Sequence, residues 1–231
     1  MANDAGRAAA QVGFLSTLAP ASRQRLSARG RRRAYARGEE IFARGEPGDA
    51  LLIVETGYLE ISVRRPGGRK AILNYVGAGE VIGEITVIDR SARSADVIAL
   101  EPTTGLIVDG RDVRAVLLED PVAMMVLLER VCDKLRSTID AFEALGQREA
   151  VRRLARCLVR LGATFGNQAE PAEPTILPAT ISQSDLGDFA GLSRENVNRQ
   201  IKRWVADGVV ALENGRLILR DTEALREITD A

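Results

Sequence analysis

The sequence predicts an α+β fold of three parts: an N-terminal antiparallel β-roll or jelly roll, a long helix, and a C-terminal helical region that ends in a hairpin. Between residues 34 and 108, short apolar alternations are separated by glycine-bearing turns. From residue 121 onward, apolar residues recur at helical spacing. Two short helix patterns then meet at Gly191 and precede an Asn-Gly turn. These changes of period place the boundaries at residues 1–118, 119–146 and 147–231.

Length and composition indicate an ordinary soluble protein of more than one domain. The chain has 231 residues, of which 45% are hydrophobic and 28% charged, values typical of globular proteins. Its 32 Lys+Arg balance 32 Asp+Glu, so net charge supplies no general attraction to nucleic acid. No apolar run is long enough to span a bilayer, and the first residues lack an apolar signal core. We therefore expect a cytoplasmic protein without a membrane partner.

The scarcity of metal-binding side chains narrows the chemistry. Histidine is absent, and Cys132 and Cys157 are the only cysteines. An iron–sulfur cluster takes about four thiolates, so two isolated cysteines, both in helical patterns, are expected to be small buried apolar residues. The usual general base is also missing. We expect no metal site, no catalytic residues and no enzymatic activity.

The N-terminal part begins with a predicted helical segment over residues 14–29 and continues as strands. The segment has four apolar anchors: Phe14, Leu15, Leu18 and Leu26. Leu59, Ile61 and Val63 alternate with polar neighbours, as in a half-buried strand. Residues 66–68, Pro-Gly-Gly, then turn the chain into a strand over 70–76, which predicts a hairpin.

A long helix is predicted to follow a helical segment at Asp109–Leu118 and to open at Asp120-Pro121. Its apolar positions recur at alternating spacings of four and three: Met124, Leu128, Val131, Leu135, Thr138, Phe142 and Leu145. The alternative is a helix packed on its own β-domain, which a wider apolar stripe would also serve. Strict alternation over roughly three heptads favours a seam between two helices. We therefore expect a homodimer with Leu128, Val131, Leu135 and Phe142 at its interface.

The C-terminal part begins with an amphipathic helix over residues 149–161 and an exposed connection over 162–179, rich in Gly, Pro, Ala and Glu. Ser182 and Asp185 then have the spacing of a capping box. Gly191 supplies a tight turn, and Ser193 is the N-cap of a second helix. The hairpin after Gly208 turns at Asn214-Gly215. This order of elements predicts a winged helix-turn-helix.

The second helix has two dissimilar faces. The apolar face comprises Val197, Ile201, Trp204 and Val205, and the polar face comprises Arg194, Glu195, Asn198, Arg199 and Lys202. An amphipathic surface helix with solvated charges is the general alternative. The polar face, however, starts at the helix N-terminus and carries the residue types that read guanine and cytosine. Residues 149–231 hold 11 Lys+Arg and 12 Asp+Glu, so binding to double-stranded DNA must depend on this helix.

Two short motifs near the end of the β-region suggest an anion site. Arg93 could hold the phosphate of a cyclic nucleotide through its planar donor fork, aided by backbone N–H groups near Ser94. Glu84 could accept a hydrogen bond from the ribose hydroxyl, and Gly83 would allow close backbone approach. Taken alone, a Glu and an Arg more often form a surface salt bridge.

The order of these motifs resembles the cyclic AMP receptor protein family of bacterial regulators. A β-roll with Gly-Glu and Arg-Ser-Ala is followed by a long helix and a winged helix with Ser-Arg-Glu-x-Val-x-Arg, from about Phe14 to Leu219. The resemblance implies a cyclic-nucleotide site at Gly83, Glu84, Arg93 and Ser94. The segment between Glu84 and Arg93 is one residue shorter than in the founding member.

The resemblance also assigns Thr138 to adenine contact. The family has a serine at the next position that reaches across from the partner subunit, whereas this chain has Ile139. Ser94, in place of a threonine, favours cAMP over cGMP, although cGMP stays possible. Relatives that sense oxygen or carbon monoxide are disfavoured because the cysteine cluster and the haem histidine are absent.

On the recognition helix, Arg194, Glu195 and Arg199 match the family's base-reading positions. The resemblance therefore implies a homodimeric transcription regulator under allosteric control of a cyclic nucleotide, with no other cofactor. It would read a palindromic site of TGTGA-like halves and have RNA polymerase as a further partner. Two alternatives stay open: a regulator of this fold with a different effector or none, and a cyclic-nucleotide-binding signalling module with a degenerate winged helix.

Overall fold

The computed structural model describes residues 13–64, 70–146, 149–166 and 174–230. It divides into two compact units. The first comprises Met1–Val63 and Tyr75–Ser137, and the second comprises Arg64–Asn74 and Thr138–Ala231. The division by contacts therefore falls inside the long helix, whereas the sequence patterns placed boundaries at its two ends.

The first unit begins with two helices, α1 (Phe14–Thr17) and α2 (Pro20–Arg29), instead of the single helical segment expected over 14–29. The helix is interrupted at Leu18 and Ala19 because Pro20 favours the first turn of a helix and cannot continue an existing one. The anchors Phe14, Leu18 and Leu26 are buried as expected.

The β-roll prediction is confirmed. Its strands are β1 (Arg31–Tyr35), β2 (Glu40–Phe42), β3 (Ala50–Thr56), β4 (Leu59–Arg64), β5 (Lys70–Val76), β6 (Val81–Ile82), β7 (Asp96–Ala99) and β8 (Thr103–Asp109). They form two four-stranded sheets, in the orders β1-β8-β3-β6 and β2-β7-β4-β5. An apolar cluster that includes Leu52, Leu59 and Val97 contains residues from both sheets. The predicted turn at residues 66–68 lies outside the described residues.

Strand β4 is more deeply buried than its alternating pattern indicated. Leu59 is buried and Ile61 half-buried, but the polar residues between and beyond them, Glu60 and Ser62, are also buried. Both faces of the strand are therefore covered, and a polar residue on it need not face water.

Three helices complete the first unit: α3 (Glu84–Asp89), α4 (Gly110–Glu119) and the start of α5 (Pro121–Gly146). The short helix α3 was not predicted, because six residues are too few to establish a helical period. Helix α4 begins where expected, since the Asp109 side chain caps it by accepting from the N–H of Arg111.

Helix α5 has one face buried in the core and an opposite face exposed to solvent. Ala123 and Leu127 are buried in the apolar cluster of the first unit. The exposed stripe comprises Met125, Leu128, Cys132, Leu135 and Ile139. Its spacings alternate between three and four, and it shares Leu128 and Leu135 with the expected seam. Val131 is half-buried beside this stripe, and the Phe142 side chain lies outside the described residues.

The expected burial of both cysteines is therefore half wrong. Cys157 is buried, but Cys132 is exposed because it falls on the stripe of α5 that nothing in the described residues covers. Helical periodicity identifies an apolar face and cannot say which element, if any, packs against it.

The second unit contains α6 (Ala150–Phe165), β9 (Thr175–Ile176), α7 (Gln183–Ala190), α8 (Arg194–Ala206), β10 (Val210–Glu213), β11 (Arg216–Leu219) and α9 (Thr222–Asp230). The connection expected over 162–179 is shorter, because α6 continues to the buried Phe165 and β9 pairs with β11. Residues 167–173 lie outside the description. Helix α9 was not predicted.

The helix-turn-helix and the wing are confirmed. Gly191 ends α7 with φ +66°, in the left-handed region where glycine is favoured. Strands β10 and β11 pair antiparallel, and the turn between them places Asn214 and Gly215 at φ +50° and +74°. Two successive positive φ values are those of a type I′ turn, one of the favoured two-residue hairpin turns.

The capping box at the start of α7 yields a stability prediction. The Ser182 hydroxyl accepts from the N–H of Asp185 at 3.2 Å, and the Asp185 carboxylate accepts from the N–H of Ser182 at 2.9 Å. We expect Ser182→Ala to lower the free energy of unfolding by about 1 kcal/mol. Ser184→Ala, at an exposed position on the same helix, is the control and should change it by less than about 0.5 kcal/mol. Equal effects in urea unfolding would contradict the cap.

The same box makes stability depend on pH. Burial is the largest influence and would raise the pKa of Asp185, but the hydrogen bonds from Ser182 and the ion pair with Lys70 at 3.2 Å together hold the pKa below its ordinary 3.8. A carboxyl with a depressed pKa stabilises the folded state fully above its unfolded pKa and loses that contribution as the pH falls through the folded pKa. Asp185→Asn should therefore reduce stability at neutral pH and flatten the acid limb of the stability curve, measured by urea unfolding at successive pH values.

Candidate functional site

Arg93 is a buried cation with an unused donor. Its side chain is 7% exposed, its guanidinium carbon lies 3.6 Å from the centroid of the Phe42 ring, and its Nη2 donates to the Ala50 carbonyl at 3.0 Å. Nη1 is buried and has no hydrogen-bond partner in the described part of the chain. Burial lowers the pKa of Arg93, although Asp49 and Glu84 oppose the shift. A buried donor left unpaired is costly, which makes this group suited to an anion.

Two glycines leave the space that the guanidinium occupies. A Cβ at Gly83 would lie 2.5 Å from Nη1 of Arg93, and one at Gly48 would lie 2.6 Å from its Nε. Gly83 also has φ +91°, which disfavours any other residue there. Gly83 was singled out from the sequence, whereas Gly48 was not. Gly48 stands beside Asp49 in the sequence, and this pair forms no motif that would have pointed to a binding site.

Glu84 is engaged by a residue that the sequence reasoning missed. It is the first residue of α3 and is buried at 4% exposure. Lys134 of α5 places its Nζ 3.0 Å from the Glu84 carboxylate and also donates to the Val81 carbonyl. Lys134 precedes Thr138 by one helical turn, and Thr138 is exposed. The sequence did contain a signal for this contact, because Lys134 is a lysine among the apolar positions of a long helix.

A second ion pair holds the segment next to Gly48. Arg114 of α4 binds both carboxylate oxygens of Asp49 at 2.7 Å and donates to the Val87 carbonyl of α3 at 2.9 Å. The bonds from Arg114 are the main reason that the pKa of Asp49 is lowered. Arg114 therefore links the segment that carries Gly48 and Ala50 to the helix that follows Gly83. Ser94, also predicted for the site, is exposed.

Helix α8 presents its polar face to solvent because its apolar face is buried. Val197, Ile201 and Trp204 are at most 3% exposed, whereas Val205, which we expected on the same face, is 39% exposed. The apolar face is thus one residue shorter than predicted. All five predicted DNA-contacting residues line one concave surface: Arg194, Glu195, Asn198, Arg199 and Lys202.

Two contacts organise this surface. Asn198 donates from its side-chain amide to the Gln183 side chain at 2.8 Å, which braces α8 against α7. Arg199 hydrogen-bonds Asn196 one turn earlier on the same helix. The backbone N–H of Glu195 and the Ser193 hydroxyl lower the pKa of Glu195, so its carboxylate is available as an acceptor at neutral pH. Gln183 was not predicted, because its role depends on the packing of α7 against α8.

Two searches of the described residues bear on other functions. They contain no group of three or more Cys, Asp or Glu side chains arranged to hold a metal ion. No helix among them combines the length and the apolar character needed to cross a membrane.

Comparison with known proteins identifies both parts of the chain. Residues 32–120 match the family model of the cyclic nucleotide-binding domain, and residues 152–228 match that of the Crp-like helix-turn-helix domain. The Cyclic AMP receptor protein of Thermus thermophilus is 30% identical over 202 residues, covering 85% of this chain and 87% of that protein. The CRP-like cAMP-activated global transcriptional regulator of Mycobacterium tuberculosis is 28% identical over 193 residues, covering 83% and 84%.

Solved structures share the fold. The Thermus thermophilus catabolite activator protein is similar with a TM-score of 0.52 and 28% identity, covering 94% of this chain and 98% of that one. FixK2 from Bradyrhizobium japonicum is similar with a TM-score of 0.76 and 22% identity, covering 87% and 98%.

Proposed function

The chain belongs to the cyclic AMP receptor protein family of transcription regulators, and on that premise we propose that it is a homodimer whose binding to palindromic DNA is controlled by cAMP. The observation that carries the proposal is the unpaired buried donor of Arg93, beside Gly83 and Glu84. A protein of this kind acts on DNA in the cytoplasm and contacts RNA polymerase there. Its work is binding, with no enzymatic step.

The pocket suits the charged part of a cyclic nucleotide. A phosphate oxygen accepting from Nη1 of Arg93 would supply the partner that this donor lacks. Glu84 is suited to accept from the ribose hydroxyl, but Lys134 now occupies its carboxylate. Ligand binding therefore requires the Lys134–Glu84 pair to be shared or broken. Since Lys134 lies on α5, this exchange would link the pocket to the helix that carries the exposed stripe.

The choice of cAMP over cGMP rests on Ser94 and on the names of the relatives, two of which are a cyclic AMP receptor protein and a cAMP-activated regulator. Ile139 stands where a second polar contact to the base would be expected, so cGMP is the competing effector. A regulator of this fold with another effector, or none, is the second candidate.

Dimer formation would cover the exposed stripe of α5. Leucine, methionine and isoleucine side chains at seam spacing gain free energy when they leave water, and the stripe has the period of a two-stranded coiled coil. A parallel pair of α5 helices would relate the two recognition helices by a two-fold axis. Half-sites in such dimers lie roughly 34–36 Å apart on the DNA.

The polar face of α8 would read the half-site. Arg194 and Arg199 suit guanines, and Glu195 suits a cytosine amino group, which agrees with TGTGA-like halves. The presence of all three on one concave surface argues against a signalling module with a degenerate winged helix. Lys202, further along α8, suits a phosphate.

Removal of Arg93 tests the pocket. Arg93→Ala should weaken binding of cAMP and cGMP by roughly 10- to 150-fold, because a charge-assisted hydrogen bond is lost. Isothermal titration calorimetry measures this directly. Arg31→Ala, at an exposed arginine of the same unit, is the control and should bind as the wild type does. Unchanged affinity in Arg93→Ala would place the nucleotide elsewhere.

Cys132 offers a test of the dimer without disrupting it. In a parallel pair of α5 helices the two Cys132 thiols face each other, so mild oxidation should yield a covalent dimer on a non-reducing gel. Cys132→Ser should abolish the product, because Cys157 is buried and burial raises its pKa to about 12.

A companion pair of variants addresses the same seam by light scattering. Leu135→Asp should give monomers, since a charge would be buried without a partner. Leu118→Asp, at a 77% exposed leucine outside α5, should stay dimeric. Monomeric wild-type protein that gives no cross-link would refute the seam.

Two substitutions on α8 separate sequence reading from general affinity. Glu195→Ala should relax the preference at one base pair per half-site, worth roughly 1–3 kcal/mol of discrimination. Lys202→Ala should weaken binding to all sequences alike and reduce the salt dependence by about one counterion. Selection from random DNA with cAMP present measures the first effect, and fluorescence anisotropy at varied salt the second. A consensus without a two-fold repeat would contradict the proposed site.

A further inference from the structure

We propose that Phe42 is a positioning residue for the anion site: its ring holds the Arg93 guanidinium in one orientation and leaves the charge free for the ligand. The inference rests on the proposed function, because it takes Arg93 to bind the nucleotide phosphate. It adds a residue that none of the sequence motifs includes. The geometry behind it is the 3.6 Å separation between the guanidinium carbon of Arg93 and the centroid of the Phe42 ring.

The ring is itself well placed to impose an orientation. Phe42 is the last residue of β2, pairs with Val97 of β7, and packs against the apolar cluster inside the β-roll. A guanidinium stacked on an aromatic face at this distance is held by a cation–π interaction. Because the strand pair and the cluster hold Phe42, the stacked cation is held relative to the sheet.

The other sides of the guanidinium are also fixed. Gly48 lies beside Nε, the Ala50 carbonyl accepts from Nη2, and Gly83 lies beside Nη1. Stacking sets the plane of the group, and these neighbours set its rotation within that plane. The result is one donor, Nη1, that is oriented and unpaired. Binding an anion then requires little further ordering of a long side chain, which is a cost that association otherwise incurs.

An aromatic partner has a consequence that a carboxylate would not have. The carboxylates whose charges act on Arg93 are those of Asp49 and Glu84. Asp49 is paired with Arg114, and Glu84 is paired with Lys134. A carboxylate on Arg93 itself would compete with a ligand phosphate for the same donors. The Phe42 ring stabilises the cation without occupying any N–H group. It therefore retains the affinity of Arg93 for an anion while offsetting part of the cost of burying its charge.

The alternative role for Phe42 is apolar packing alone, and ring electronics distinguish the two. Fluorine atoms withdraw charge from the ring face and weaken a cation–π contact while keeping the shape of the ring nearly constant. The chain has five phenylalanines, so the analogues are introduced at position 42 by site-specific incorporation. Singly, doubly and triply fluorinated phenylalanine should weaken nucleotide binding progressively in calorimetric titration of the full chain.

Natural substitutions give a second readout. Phe42→Leu keeps an apolar side chain of similar size and should weaken binding about tenfold, as expected for a desolvated cation–π contact. Phe42→Tyr keeps the ring and should stay within about twofold of the wild type. Ile41→Val, the matched control, changes the neighbouring residue that packs on the same cluster and should have no effect. Thermal unfolding verifies that each variant is folded, and the fluorinated series retains the test if Phe42→Leu does not fold.

The outcomes separate this inference from the function on which it rests. Each titration uses cAMP and cGMP, and the tighter of the two in the wild type is the probe. If the wild type binds but affinity is the same across the fluorinated series and in Phe42→Leu, the positioning role is wrong and the proposed function stands. If the wild type binds neither nucleotide, the proposed function is wrong, and the anion role of Arg93 falls with it. A graded loss with retention in Phe42→Tyr supports both.

Discussion

The candidate anion site of the first unit depends on one buried guanidinium. Burying a charge is costly unless hydrogen bonds or opposite charges compensate it. The compensation for Arg93 comes from the Ala50 carbonyl, the Phe42 ring and the nearby charges of Asp49 and Glu84. Gly48 and Gly83 supply the room. The cost that stays uncompensated is an unpaired donor, which is the kind of local defect that proteins retain where a ligand will bind.

Helix α5 connects this site to the surface that we assign to dimerisation. Ala123 and Leu127 belong to the core of the first unit, and Lys134 holds the carboxylate of Glu84. The opposite face of the same helix is apolar and exposed. One helix carries both features, and this offers a direct physical link, because a ligand that displaces Lys134 acts on the element through which the partner would be contacted.

Helix α8 likewise has two faces with different roles. Val197, Ile201 and Trp204 are buried and hold α8 in its unit. Because the polar face does not take part in this packing, substitutions there leave it intact. The hydrogen bond from Asn198 to Gln183 joins α8 to α7. The side chain of Asn198 is therefore already engaged within its own unit, which the polar pattern alone does not show.

The sequence by itself determined the features that depend on local backbone preferences and period. The capping box at Ser182, the left-handed turn at Gly191 and the Asn214-Gly215 hairpin all follow from side chains within a few residues of one another, as does the start of α5 after Asp120. Gly83, Glu84 and Arg93 were predicted as site residues from short motifs and from the family resemblance that these motifs carry. Only the tertiary structure decided which partners those residues meet: Phe42 for Arg93, Lys134 for Glu84, and solvent for Cys132. Arg93 and Phe42 are 51 positions apart in the chain, and Lys134 and Glu84 are 50 positions apart. No local pattern encodes a contact over such a separation.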